Sequence, residues 1–145
     1  MSYLLIKILH LGAAAFFIGG VFFEVMIVSR ASRQLSDEAR AQLSFALGVR
    51  ARKVMHWVVL VLYGAGIALA WNYRGILAQP FASSFSFLLS LKIAFALSIL
   101  GHFIFVVWLL RTGRATPWRS KLIHYSVLTQ MLIIVVLAKS MMFAW

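Results

Sequence analysis

The chain contains no cysteine and has little charge. Of its 145 residues, none is Cys, only 3 are acidic and only 12% are charged. The absence of cysteine excludes disulfides, thiolate metal sites and cysteine-ligated iron–sulfur clusters. What is there instead is apolar: 63% of the residues are hydrophobic, whereas a soluble domain is about half apolar and about a quarter charged. Because no soluble fold hides so much apolar surface, we expect the solvent of this chain to be lipid.

Four apolar runs are long enough to cross a bilayer, which needs about 20 residues per helix. They leave room for little else, so the sequence predicts an all-α fold with one integral membrane domain over 1–145. Short links after the second and third runs favour antiparallel neighbours, and therefore a transmembrane four-helix bundle of up-down-up-down topology. The predicted spans are about 3–29, 54–71, 85–110 and 122–143.

The net charge of +11 is concentrated in two links, which hold most of the 14 basic residues. Links rich in Lys and Arg stay in the cytoplasm. The charge therefore reports topology and contact with anionic lipid, not nucleic-acid binding. We expect a multi-pass protein of the bacterial inner membrane, with a retained first span and both termini in the periplasm. The residues concerned are Arg30, Arg33, Arg40, Arg50, Arg52, Lys53, Arg111, Arg114, Arg119 and Lys121.

The first of these links contains a helix start. Ser36 is followed by Asp37 and Glu38, which is typical of an N-cap and an acidic first turn. The helix that begins there either lies along the membrane surface on an apolar stripe or extends the second span inward, and the sequence does not decide between the two.

Each apolar run carries one histidine: His10, His56, His102 and His124. A histidine at membrane depth is costly and usually faces the bundle interior, where it has a function. Counted from the basic edges, His56 and His124 lie roughly 4–5 Å inside, Glu24 about 9 Å and His102 about 13 Å. His10 lies far from them, roughly 30 Å from the basic end of its own run. The sequence therefore predicts an inner and an outer layer of polar residues.

The inner layer predicts a haem site. His56 and His124 have matched depths on helices that are diagonal in an up-down bundle, and two facing imidazoles suit axial ligation of a haem iron. Arg52 and Lys121 lie beside them to pair with the propionates. His102 is the reserve ligand, or else a hydrogen-bond donor to a carbonyl. In the alternative, His56 and His124 are interfacial and reach toward lipid headgroups.

The outer layer and the one embedded acid predict further chemistry. We expect His10 with Lys92 to mark a second site, for another haem, a metal or an anionic group such as a carboxylate. Lys7, one turn from His10, either holds a carboxylate or reaches the outer interface. Glu24, the only acid in any span, is either the partner of a cationic neighbour such as His102 or a proton-relay carboxylate.

Three short motifs resemble those of small four-span bacterial membrane proteins of the HemJ and CopD type. They are Lys7-x-x-His10, the segment Arg50-Ala51-Arg52-Lys53 and the pair Leu91-Lys92. The resemblance covers the whole chain in length and span order. It implies a haem-b-binding membrane protein and, in the HemJ branch, oxidation of protoporphyrinogen IX to protoporphyrin IX, with His10 and Lys92 at the positions of essential residues. The CopD branch implies copper handling across the inner membrane.

The chain departs from the HemJ pattern in two respects. Phe16 and Phe17 occupy the region where the family has a tryptophan, about two turns after the first-span histidine, and His56 and His124 are additional to the pattern.

The residues and the resemblance together predict an inner-membrane oxidoreductase that binds one or two haem b groups and moves electrons. Its expected partners are lipid and a porphyrin or quinone-type redox partner, and a homo-oligomer is compatible with the sequence. One alternative is a copper-handling protein of the CopD type without haem, with the four histidines as metal ligands. Another is a non-redox membrane protein in which the histidines are structural.

Overall fold

The computed structural model describes residues 2–144, with the backbone alone for Pro117. Helix accounts for 89% of the chain, and the described part contains no strand. Four of its helices are long and apolar enough to cross a membrane. The prediction of an all-α, multi-pass membrane protein with four spans is confirmed at this level. The helices are α1 (Ser2–Gln34), α2 (Asp37–Asn72), α3 (Ser84–Arg111) and α4 (Pro117–Ser140).

The helices form two compact pairs. The first helix pair is α1 with α2, up to Asn72, and the second is α3 with α4, from Tyr73 onward. Within each pair the helices are consecutive in sequence and run antiparallel, as their side-chain contacts show: His10 meets Leu62 in the first pair and His102 meets Ser126 in the second. The up-down-up-down topology of all four spans stays a prediction.

α1 changes its helical type before it ends. It is regular over Ser2–Phe23, widens into a π-helical turn at Glu24–Val28, and finishes with an α-helical turn at Ser29–Ala31 and a 3₁₀ turn at Ser32–Gln34. The π turn begins at Glu24, the one acid of the apolar runs. Single π turns inside helices are frequent at functional sites, and no spacing of apolar residues in the sequence indicated this one.

α2 decides between the two alternatives for the first link. It is continuous over 36 residues, Asp37–Asn72, so the helix that starts after Ser36 extends the second span inward. The predicted cap is confirmed, because the Ser36 hydroxyl accepts a hydrogen bond from the Ala39 N–H at 3.3 Å. A helix of this length measures about 54 Å. Since the hydrocarbon core is about 30 Å thick, the basic N-terminal part of α2 extends beyond it.

Arg40 closes the link between α1 and α2. Its Nε donates to the Ser32 carbonyl at 3.0 Å, and its Nη2 donates to the carbonyls of Arg33 and Leu35 at 3.3 and 3.2 Å. Its Nη1 forms an ion pair with Asp37 at 3.2 Å. The last carbonyls of a helix lack partners within the helix. One guanidinium therefore satisfies the end of α1 and ties it to the start of α2.

The link between α3 and α4 is closed by backbone geometry instead. Gly113 has φ of +67°, a left-handed conformation that costs glycine little. The N–H of Arg114 then donates to the Leu109 carbonyl at 3.0 Å, which is the long-range bond of a Schellman motif. Thr116 caps α4, with a proline at the first helical position, where its missing N–H costs nothing.

Candidate functional site

All four histidines share one hydrogen-bonding pattern. The Nδ1 of each ring lies within hydrogen-bond distance of a backbone carbonyl. A carbonyl oxygen only accepts, so Nδ1 carries the proton, and in the neutral ring the lone pair is on Nε2. A histidine that ligates a metal usually donates its other ring N–H to such a group. The pairs are His10 with Leu62, His56 with Arg52, His102 with Ser98 and His124 with Ser120.

His10 differs from the other three because its acceptor lies on another helix. Its Nδ1 is 3.0 Å from the Leu62 carbonyl oxygen of α2, whereas the other three rings bond the carbonyl four residues back on their own helix. The half-buried His10 ring also packs against Gly66. A Cβ at Gly66 would lie 3.2 Å from the ring Cε1 and 3.4 Å from Nδ1. The backbone of α2 therefore fixes this imidazole in place.

A second contact sets the relative levels of residues in the first helix pair. Gly20 of α1 lies so close to Met55 of α2 that a Cβ there would collide with the Met55 Cε. In an antiparallel pair, Glu24, four residues further along α1, is level with Ala51, four residues back along α2. His56 is about 1.5 Å from the level of Gly20. Glu24 therefore lies about 7–8 Å nearer than His56 to the end of the pair that Arg40 closes.

This order is the reverse of the one counted from the sequence. The count assumed that the basic edges of neighbouring spans are level. In the structure Lys53, the edge used for His56, is level with Phe22 of α1. Arg30, the edge used for Glu24, is about 12 Å further toward the end of the pair that Arg40 closes. Glu24 is exposed, lies at the level of the basic segment of α2, and forms no ion pair within residues 2–144. Its proton-relay role stays a prediction.

His102 is part of a hydrogen-bond chain between α3 and α4. Its Nδ1 donates to the Ser98 carbonyl at 2.8 Å, and its Nε2 lies 3.3 Å from the Ser126 hydroxyl. The Ser126 hydroxyl accepts in turn from the Gln130 amide at 3.1 Å. With Nδ1 protonated, the Nε2 lone pair accepts the Ser126 proton. His102 would therefore have to lose an interhelical hydrogen bond before it could bind a metal through Nε2.

His124 and His102 share a level but not a face. His124 precedes Ser126 by two residues, so it lies about 3 Å from the level at which Ser126 meets His102, and about 200° around α4. The sequence count separated the two histidines by about 8 Å. The side chain of His124 is half-buried but lies off the face of α4 that contacts α3. Within the second helix pair, the two rings do not converge.

The cationic candidates fall into two classes of exposure. Lys7, Arg52 and Lys121 are exposed, whereas Lys92 is half-buried in α3. Arg52 precedes His56 by four residues on α2, and Lys121 precedes His124 by three on α4. Residues three or four apart are neighbours on a helix surface. His56 and His124 therefore each have a cation beside them on their own helix.

Several features of these sites were missed by the sequence reasoning. The contact of Gly66 with the His10 ring was not predicted, because it depends on how α1 and α2 are aligned. Ser126 and Gln130 are four residues apart in an apolar run, a spacing that indicates one polar helix face and could have revealed the chain to His102.

No three His, Asp or Glu side chains group as a metal-binding cluster anywhere in residues 2–144. A haem hypothesis does not need such a cluster, because the porphyrin holds the iron and the protein supplies one or two axial ligands.

The chain matches no protein-family model, no curated protein and no solved structure. Its resemblance to the HemJ and CopD type is therefore carried by the three short motifs alone.

Proposed function

We propose that this chain is a membrane protein that binds haem b and takes part in electron transfer. The observation that carries the proposal is the hydrogen-bonding pattern that the four histidine rings share. One histidine stands on each spanning helix, with Nδ1 bonded to a backbone carbonyl and the lone pair on Nε2. A carbonyl bond of this kind orients a ligating ring and strengthens its donor nitrogen. This donor set fits haem iron, which binds imidazole axially.

His56 and His124 are the proposed axial ligands. His102 is the reserve ligand, and iron binding at its Nε2 would have to replace the hydrogen bond from Ser126. Arg52 and Lys121, beside the two proposed ligands, would pair with the carboxylates of the propionates. When bound, the haem would supply one-electron redox chemistry.

The residues of the outer layer support a second part of the proposal, oxidation of protoporphyrinogen IX to protoporphyrin IX. The hydrogen bond to Leu62 orients the His10 ring, and an oriented neutral imidazole can take up a proton at Nε2. Lys92 and Lys7 are cations suited to the carboxylates of a porphyrin substrate. The protons removed from the substrate would pass through His10, and the electrons would leave to a quinone-type acceptor in the membrane.

The first experiment is a reduced-minus-oxidised absorbance spectrum of the full-length protein, purified from haem-replete cells. We expect a haem b spectrum in the wild type. His56→Ala and His124→Ala should each remove the haem or convert it to a high-spin form. His102→Ala is the matched control, and it should keep the wild-type spectrum because its Nε2 is already engaged.

Three results would contradict this proposal in different ways. A colourless, iron-free protein would exclude haem binding. An unchanged spectrum in both His56→Ala and His124→Ala would show that the axial ligands are misassigned. Stoichiometric copper binding without haem would favour the copper-handling function.

A further inference from the structure

We propose that Leu62 and Gly66 of α2 form a receptor for the His10 ring, and that Gly66 is a positioning residue for that histidine. The receptor is a backbone carbonyl left accessible by a missing side chain. The role of His10 as a proton acceptor rests on the proposed function, whereas the receptor itself rests on the structure alone.

The geometry of an α-helix explains why a glycine is needed one turn after Leu62. The Leu62 carbonyl accepts the N–H of residue 66 within the helix and keeps a second lone pair. Helical side chains lean toward the N-terminus and cover the preceding turn, so a side chain at position 66 would lie over that carbonyl. Gly66 leaves the oxygen accessible, and the His10 Nδ1 reaches it at 3.0 Å.

Gly66 and Gly64 of α2 differ in the space available to a side chain. A Cβ at Gly66 would approach the ring Cε1 to 3.2 Å, which is tighter than an ordinary van der Waals contact of carbon atoms, and would lie 3.4 Å from Nδ1. Gly64, two residues earlier in the same apolar run, has nothing within 4 Å of its own added Cβ. A side chain at position 66 would therefore press on the His10 ring, whereas a side chain at position 64 would not.

The bond to Leu62 determines which nitrogen of His10 is reactive. A hydrogen bond made by one ring nitrogen of a histidine sets the protonation state of the other nitrogen. While Nδ1 donates to Leu62, Nε2 is the basic nitrogen. A methyl group at 66 would displace the ring by a few tenths of an ångström. That displacement lengthens the bond to Leu62 and weakens its control of the ring orientation and the tautomer.

The test compares Gly66→Ala with the matched control Gly64→Ala in the full-length protein in lipid nanodiscs. Nitrogen NMR of histidine-labelled protein reports which ring nitrogen is protonated, and the His10 signals are assigned as those missing from His10→Asn. We expect protonated Nδ1 at His10 in the wild type and in Gly64→Ala, and a mixture of tautomers in Gly66→Ala. An unchanged His10 signal in Gly66→Ala would overturn the proposal.

A second readout connects the receptor to activity. Loss of one hydrogen bond of about 0.5–1.5 kcal/mol predicts that Gly66→Ala lowers kcat for protoporphyrinogen oxidation about two- to thirteenfold. KM should be unchanged, and Gly64→Ala should keep the wild-type rate. Equal losses in the two variants would instead indicate a general packing role and overturn the proposal. If the wild type has no haem and no oxidase activity, the proposed function fails, but the NMR comparison still tests the receptor.

A second pair of variants covers the case in which Gly66→Ala does not fold. The amide nitrogen of an asparagine occupies a place close to that of Nδ1, and the amide nitrogen of a glutamine occupies a place close to that of Nε2. His10→Asn should therefore keep the bond to Leu62 and unfold at a higher temperature than His10→Gln. The opposite order would contradict the assignment of the Leu62 carbonyl as the acceptor.

Discussion

The two helix pairs place a histidine between antiparallel helices by different chemistry. In the first pair, His10 bonds a backbone carbonyl that Gly66 leaves accessible. In the second, His102 bonds the hydroxyl of Ser126, which is held in turn by Gln130. The first arrangement depends on the absence of a side chain at position 66. It places the lone pair of His10 on Nε2, and the bond from Nδ1 to Leu62 does not use that lone pair. The second depends on added polar side chains, and it occupies the Nε2 lone pair.

The links of the two pairs differ in a similar way. The first is closed by a charged side chain, Arg40, and the second by the backbone of Gly113. The physical reason lies in how each helix before the link ends. α1 ends in a 3₁₀ turn whose last carbonyls need partners from outside the helix, whereas Gly113 turns the backbone so that the Arg114 N–H bonds the Leu109 carbonyl of α3. The comparison teaches that a similar hairpin can be specified by side-chain chemistry or by backbone conformation.

The largest loss of stability is expected from Arg40→Ala. This change removes the bonds to the carbonyls of Ser32, Arg33 and Leu35 and the ion pair with Asp37. Hydrogen bonds from charged groups contribute about 1.5–3 kcal/mol, reduced here because the Arg40 side chain is 42% exposed. We expect a loss of about 2 kcal/mol in the free energy of unfolding, measured by reversible denaturation in mixed micelles. Arg50→Ala is the control and should have little effect. Equal losses of free energy of unfolding in Arg40→Ala and Arg50→Ala would show that the positive charge stabilises the fold and that the bonds to the carbonyls do not.

A smaller loss is expected from Ser126→Ala, which leaves the His102 Nε2 and the Gln130 amide without this partner. Interhelical hydrogen bonds in membranes contribute about 0.6–1.7 kcal/mol, and two groups are affected, so we expect about 1.5 kcal/mol by the same measurement. The control is Thr129→Ala, because the Thr129 hydroxyl bonds only the Tyr125 carbonyl of its own helix. If Ser126→Ala and Thr129→Ala had the same free energy of unfolding, the hydrogen-bond chain from His102 to Gln130 would not stabilise the protein.

The smallest effect is expected from Gly113→Ala, because a left-handed conformation costs a residue with a Cβ about 1 kcal/mol more than it costs glycine. Gly101→Ala is the control within α3, where nothing lies within 4 Å of an added Cβ. Alanine there should be neutral or stabilising by up to about 1 kcal/mol. A Gly113→Ala variant as stable as the wild type would show that the turn does not depend on the Schellman geometry.

The sequence predicted the parts of the fold that depend on composition and local pattern. The four spans follow from run length, and the start of α2 follows from Ser36 and the two acids after it. It did not predict that α2 is continuous, because charged residues such as Arg50 and Lys53 are equally compatible with a surface helix and with a helix that leaves the membrane. The levels of Glu24 and His56 were counted in the wrong order because depth was measured from edges that are not level.

For the candidate site, the sequence by itself determined which residues carry the chemistry: one histidine on each span, cations beside His56 and His124, and no thiol. Only the tertiary structure decided what each ring nitrogen does, because a hydrogen bond between helices depends on register and rotation, which apolar periodicity does not encode. The structure gives His10 the Leu62 carbonyl and gives His102 the Ser126 hydroxyl. Those two contacts are why four similar residues of the sequence become chemically different in the fold.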